Sequence, residues 1–331
     1  MFTARILGTG SYLPEKIVTN TDLEKMMDTS DSWIQKRTGI RERRYVDPGV
    51  STSDLGLQAS QRALQSAGLV ADDIDFIIFA TLSPDYNFPG CGCLLQEKLG
   101  IDTVGALDVR NQCTGFIYSL AVADQFVRTG SYRHILVVGA EVHSTGLEMN
   151  TRGRDVAVIF GDGAGAVVVG RSENENRRFL SNHLHSQGKY AKKLWIEAPT
   201  SHHHPRLTEK KLHDGRHYPY MDGRFVFKHA VERLQEAVRE ALVTNGLEVE
   251  DVKLLILHQA NLRIAEAVVH LLKISPDRVF NNIQFYGNTT AASIPIALDE
   301  AVREHRVKEG EIVVLAAFGS GFTWGATVLR W

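Results

Sequence analysis

A phrase in the first half of this chain returns in the second half at a fixed distance, and that repetition constrains the fold more than any other feature. QASQRALQSAGLVADDIDFIIFAT, beginning at Gln58, reads as a helix stopped by Gly68, a short acidic turn and a buried strand over Asp75 to Ala80. The segment beginning at Glu236 reads the same way, with Gly246 placed 178 residues beyond Gly68. That offset pairs Ala59 with Ala237, Ala63 with Ala241, Leu64 with Leu242 and Leu69 with Leu247, and it sets Asp73 and Ile74 against Asp251 and Val252. Gapless agreement of this kind points to a duplicated unit.

Each half also carries a late apolar run, Arg133 to Val138 in one and Glu311 to Ala317 in the other. Strands alternating with helices predict parallel sheets covered on both faces, hence an α/β fold. The 331 residues are about twice the ~150 of a usual domain, which fits two related halves, residues 1–175 and 176–331. Between them, Lys189 to Met221 is polar, rich in His, Lys and Pro, and without periodicity. It reads as a long surface excursion and a candidate cover for an entrance.

Composition removes several functions. Lys and Arg number 37 against 39 Asp and Glu, so a net charge of −2 offers no global field to recruit nucleic acid. Apolar stretches such as Ile135 to Ala140 fall far short of the ~18 residues of a membrane span. The Gly8-Thr9-Gly10 break comes too early for the apolar part of a secretory signal, so a cytoplasmic protein without a cleaved leader is expected. Cys91, Cys93 and Cys113 make no even disulfide framework, and a special cysteine is then chemical in role.

Cys113 precedes a helical pattern in DVRNQCTGFIYSLAVADQFVRTG. At a helix N-terminus, backbone N–H groups and the dipole lower a thiol pKa and favour the nucleophilic thiolate, although a small buried core residue fits the window too. His258 ends the strand of LLILHQANLRIAEAV, at the strand end where α/β sheets collect ligands. A hydrogen-bonded structural histidine is the plain alternative. Asn288 sits in a turn running into a helix, where Asn also serves as an N-cap. GDGAGA, from Gly161 to Ala166, is followed by strand residues and not by the helix of a dinucleotide fingerprint, so a tight turn between strands is expected. Adjacent His202, His203 and His204 do not converge on one ion as spaced ligands do, and Cys91 with Cys93 lacks a second paired motif, so no metal is expected.

Six windows in this order resemble one family, the β-ketoacyl-acyl carrier protein synthase III enzymes of the thiolase superfamily. They are TSDSWIQKRTGIRERR, the cysteine window, VIFGDGAGAVVV, LHQANLRI, GNTTAASIP and AFGSGFTWGATVLRW. The resemblance implies a duplicated, five-layered α/β/α/β/α thiolase-like fold and a homodimer. It also implies that Cys113 accepts an acyl group from acyl-CoA, with His258 and Asn288 completing the catalytic set, and that malonyl-acyl carrier protein then condenses with loss of CO2 in fatty-acid initiation or a related pathway. Backbone donors at Cys113 and Ser320 would stabilise the oxyanion, an effect of ~3–4 kcal/mol per donor.

By the same resemblance Trp33, Arg37 and Arg154 bind coenzyme A, Phe88 and Phe318 wall the acyl pocket, with Phe88 crossing to the partner subunit, and Lys228 and Arg263 meet the acidic carrier protein. No resident cofactor is implied, since the coenzyme A thioester is a substrate. The long excursion and LSPDYNFPGCGC depart from the simplest priming enzymes, which leaves chain length open. Relatives with this Cys, His and Asn also use longer acyl thioesters in secondary metabolism or transfer acyl groups to oxygen or nitrogen without decarboxylation. A cysteine hydrolase lacks the papain-type sequence around Cys113, an oxidoreductase would rest on GDGAGA alone, and a silent scaffold is at odds with an intact triad.

Overall fold

A computed structural model describes residues 2–331. Its first sheet holds β1 (Thr3–Tyr12), β4 (Phe76–Ala80), β5 (Gly105–Val109), β6 (His134–Glu141) and β7 (Gly163–Ser172), in the order β1-β7-β6-β4-β5. The second holds β8 (Arg178–Ser186), β11 (Val252–Leu257), β12 (Ile312–Gly319) and β13 (Thr323–Arg330), in the order β11-β12-β13-β8. Two ribbons pair β2 (Ile17–Thr19) with β3 (Glu42–Arg44) and β9 (Leu194–Trp195) with β10 (Tyr220–Met221). The sheets are mixed, not parallel as expected. β4 runs parallel to β5 and β6, and β11 to β12, but β7 and β13 are antiparallel to their neighbours. The reason is the connection: β12 reaches β13 through a tight turn that pairs Gly319 with Thr323, and a turn that short can only reverse the chain.

Long helices cover the sheets in layers. α3 (Thr52–Ala67) packs on β1, β6 and β7, and α4 (Cys91–Leu99) lies beside it against β4 and β5. α5 (Gly115–Thr129) and α11 (Ser293–Arg303) lie between the two sheets, in a core that joins Ile117, Leu120, Ile294 and Leu298 to Val137, Val167, Ile256 and Leu315. α8 (Gly223–Thr244) and α9 (Leu262–Leu272) close the far side over Leu255 and Val314. The result is the five-layered thiolase-like α/β/α/β/α arrangement. Shorter helices α1 (Asn20–Glu24), α2 (Asp31–Thr38), α6 (Arg154–Ala157), α7 (Glu209–His213) and α10 (Ile283–Tyr286) lie in the connections. No helix among the described residues is long and apolar enough to cross a membrane.

The duplication is visible bond by bond. Gly68 and Gly246 both adopt the left-handed conformation that stops a helix, at φ +68° and +63°. Leu69 N–H donates to Leu64 O and Leu247 N–H to Leu242 O, each at 3.0 Å. One-turn helices follow at Ala71–Asp73 and Val249–Asp251, where Asp73 accepts from Val70 N–H at 2.9 Å and Asp251 from Glu248 N–H at 2.8 Å. The 178-residue offset continues beyond the phrase that revealed it. It maps the turn Gln112–Thr114 onto Thr290–Ala292 and β6 onto β12, residue for residue. Gln112 and Thr290, both non-glycine, share positive φ values of +45° and +47°.

Candidate functional site

One cavity of about 990 Å3 is lined by Cys113 from the first of the two matched turns and by Asn288, two residues ahead of the second. His258 joins them directly after β11, its N–H extending the ladder to Ala316 O at 2.8 Å. Trp33, Arg37, Arg263 and Phe318 line the same space, and Arg37 is exposed at its outer end.

Cys113 keeps partial exposure, and Thr114 Oγ1 ties its turn to Thr323 Oγ1 at 2.8 Å. The helix N-terminus does not lower this thiol as expected. Burial, with the Glu141 carboxyl as a negative neighbour, pushes it up to about 12, while the backbone N–H groups of Ser320 and Cys113 act in the opposite direction. Cys113 is therefore a neutral thiol facing donors suited to an anion.

His258 is 5% exposed, and burial, with His143 nearby, lowers it to about 3, so its ring is neutral. Nδ1 lies 2.7 Å from Ser293 Oγ, and Nε2 has no partner among the described residues. Ser293 Oγ already accepts the Gln259 N–H at 3.3 Å. Its own hydrogen is available to bond Nδ1, an arrangement that goes with the ring hydrogen on Nε2 as a donor. Asn288 is fixed through its backbone, its N–H donating to Ile159 O at 2.9 Å and its carbonyl accepting from Gly161 N–H at 3.1 Å. Asn288 Oδ1 accepts the Thr290 N–H at 2.8 Å, so the amide presents Nδ2 to the cavity.

Trp33 lies under two guanidinium groups, Arg37 at 4.4 Å and Arg154 at 5.4 Å from the ring centroid. Arg154 itself turns to the Asp28 carbonyl, at 2.5 Å, and its neighbour Asp155 lines the cavity. Lys228 is exposed on α8, one turn beyond Arg224, which reaches the cavity. Phe88 is 86% exposed and does not line its own chain's cavity. In GDGAGA the strand begins at Gly163 and the element before it is the short helix α6, so this is not the expected tight turn between two strands; Asp162 instead accepts the N–H groups of Val46, His143 and Ser144. The excursion supplies Leu194 and Met221 to the cavity wall, and Leu194 O accepts a hydrogen bond from Ser320 Oγ.

Sequence reasoning passed over Lys36 and Arg224, which add cationic lining, and Ser293, which orients His258. Ser293 lay within the quoted GNTTAASIP window, where only Asn288 carried a recognisable signal. No group of three or more His, Cys, Asp or Glu among the described residues is arranged for a metal ion.

Residues 107–188 match the family model 3-oxoacyl-[acyl-carrier-protein] synthase III, and residues 242–331 match the model of its C-terminal part. The chain is 50% identical over 333 residues to beta-ketoacyl-[acyl-carrier-protein] synthase III of Caldanaerobacter subterraneus subsp. tengcongensis, covering 99% of this chain and 98% of that protein. The crystal structure of 3-oxoacyl-[acyl-carrier-protein] synthase III from Aquifex aeolicus superposes with a TM-score of 0.91 at 43% identity, over 99% of this chain and 100% of that one. The Thermus thermophilus synthase III gives 0.90 at 42% identity, over 98% of each chain. Full-length similarity at this level, on a five-layered fold whose two halves contribute Cys113, His258 and Asn288 to one cavity, shows that the chain belongs to the β-ketoacyl-[acyl-carrier-protein] synthase III family of condensing acyltransferases.

Proposed function

We propose that this chain acylates Cys113 from an acyl-CoA and condenses that acyl group with malonyl-acyl carrier protein, releasing CO2, in fatty-acid initiation or a related pathway. The observation that carries the reading is the single cavity lined by Cys113, His258 and Asn288 with Trp33 and Arg37 nearer its exposed end. Trp33 beneath two guanidinium groups offers a flat, cationic face to an adenine nucleotide. In the first step Cys113 Sγ attacks the thioester carbonyl, the bond to coenzyme A breaks, and the thiol proton leaves with its sulfur. The N–H groups of Cys113 and Ser320 support the oxyanion. In the second step the malonyl carbon–carboxylate bond breaks and its electron pair becomes an enolate, held by His258 Nε2–H and Asn288 Nδ2. Its carbon attacks the acyl-cysteine, forming the new carbon–carbon bond and releasing the Cys113 sulfur.

Under this reading residues 1–175 supply the nucleophile and residues 176–331 the enolate donors. The protein works as a homodimer, with exposed Phe88 crossing into the partner's acyl pocket. Carrier protein docks over Lys228 and Arg263, where Arg224 adds charge. Three free thiols suit the cytoplasm. Incubation with acyl-CoAs from acetyl to dodecanoyl, followed by intact-protein mass spectrometry and peptide mapping, tests the first step. The expected result is one acyl adduct on Cys113 that Cys113→Ser abolishes; acylation that survives without this sulfur overturns the reading.

A further inference from the structure

Thr290 is a β-branched residue in the left-handed region, at φ +47°, where such residues rarely sit. The conformation has a local consequence. It turns the Thr290 N–H back onto Asn288 Oδ1, 2.8 Å away, and this bond decides which end of the Asn288 carboxamide faces the cavity. A relaxed backbone at Thr290 would release Oδ1 and let the amide rotate.

The end of β6 holds that turn in place. Gly139 approaches so closely that a Cβ there would stand 2.3 Å from Ala291 O, and Ala291 N–H reaches Glu141 Oε1 at 3.4 Å. Beyond the strand, His143 Nε2 lies 2.7 Å from Thr290 Oγ1. His143 is 8% exposed, its ring packs on Phe160 with centroids 4.6 Å apart, and its N–H donates to Asp162 Oδ1 at 2.7 Å. Phe160 forms a backbone bridge with Asn288. One imidazole therefore touches the segments on both sides of Asn288. In the other half, Gly321 stands at the same offset from His143 and has no side chain to offer the turn that carries Cys113.

We propose that His143 is a positioning residue for the carbon–carbon bond-forming step, holding Thr290 in its strained conformation so that Asn288 presents Nδ2 to the malonyl thioester. The proposal rests on the reading of Asn288 as an enolate donor. His143 touches no reacting atom; its effect passes through Thr290 Oγ1.

The test is single-turnover CO2 release from malonyl-acyl carrier protein on enzyme already acylated at Cys113, with thermal unfolding of each variant measured alongside. His143→Leu removes the ring nitrogen, Thr290→Val keeps the branched shape without the hydroxyl, and His143→Gln restores an amide able to meet that hydroxyl. His143→Leu and Thr290→Val should each slow CO2 release by about 10–100-fold, the scale of a small displacement of a catalytic group, while KM for malonyl carrier moves by less than about threefold. The double variant should be no slower than the slower single one, since both act through one contact. His143→Gln should recover most of the rate. Unchanged CO2 release in folded His143→Leu, equal losses in acylation and CO2 release, or full additivity of the two single variants would overturn the proposal. Should His143→Leu fail to fold, Thr290→Val carries the same comparison. Asn288→Ala separates the two claims. If it releases CO2 at the parent rate, the reading of Asn288 itself fails; if it is inactive while His143→Leu is normal, only the role of His143 fails.

Discussion

Gly319 packs so tightly on Cys113 that a Cβ at that position would stand 2.5 Å from the Cys113 Cβ and 3.0 Å from its Sγ. The last residue of β12 is thus a wall of the seat of Cys113, and the next residue, Ser320, turns its N–H toward the sulfur. Gly319→Ala must displace one of the two. Acylation of Cys113 should fall by about 100-fold, the cost of a shift near 1 Å, with a stability loss of about 1–3 kcal/mol for the overpacked methyl group. Acylation kinetics and thermal unfolding read the two effects separately, and parent-like acylation would show that the turn yields without disturbing the site.

The pH dependence of Cys113 follows from its environment. The folded protein raises this thiol to about 12, above the ~8.5 of a free cysteine. The neutral form is therefore the one the fold favours, and the associated stability is present below the unfolded value and lost as pH rises through the folded one. Iodoacetamide labelling of Cys113 in the free enzyme should rise about tenfold per pH unit from 7 to 10, because only the thiolate reacts. A plateau below pH 8 would contradict it. Exposed Cys93 should label before buried Cys91.

His258 depends on Ser293 for its tautomer. Ser293→Ala deletes the hydroxyl 2.7 Å from Nδ1, and CO2 release should slow by about tenfold, the scale of one lost hydrogen bond near 1.4 kcal/mol, while Ser293→Thr should keep most of the rate. With the imidazole lowered to about 3, it stays neutral through the ordinary working range. The pH profile of CO2 release should then show no histidine inflection near 6.5; an inflection there that His258→Gln removes would place the proton differently.

Trp33→Ala should raise KM for acyl-CoA by about tenfold and leave kcat nearly unchanged, since the indole stacks with the exposed Arg37 and belongs to a different element from Cys113, His258 and Asn288. Steady-state kinetics with two acyl lengths would check it. A fall in kcat with constant KM would assign Trp33 a different task.

Much of this architecture was legible because the duplication survived where geometry is most demanding. Gly68 and Gly246 need left-handed backbone, Asp73 and Asp251 must reach back to their own turn, and those residues kept their identity. The offset went unseen at Cys113 and Ala291 because the two turns now do different work, and no shared side chain marks them. The antiparallel direction of β13 was hidden for a related reason: alternation of strands and helices gives the elements but not the direction of a strand reached without a helix, and β7 follows only the four-residue α6. The raised pKa of Cys113 was not legible at all. Its cause, burial beside Glu141, comes from a residue 28 positions away that only the tertiary fold brings near.

We propose that one cavity performs acylation at Cys113 and then decarboxylating condensation. The measurement that tests it most directly loads the enzyme with an acyl-CoA, removes excess substrate, adds malonyl-acyl carrier protein labelled in its free carboxyl carbon, and follows both proteins by intact mass while trapping CO2. The Cys113 adduct should disappear as labelled CO2 is released and the carrier gains the acyl chain plus two carbons. An adduct that persists, or that leaves as free acid or moves to another acceptor without labelled CO2, would contradict it.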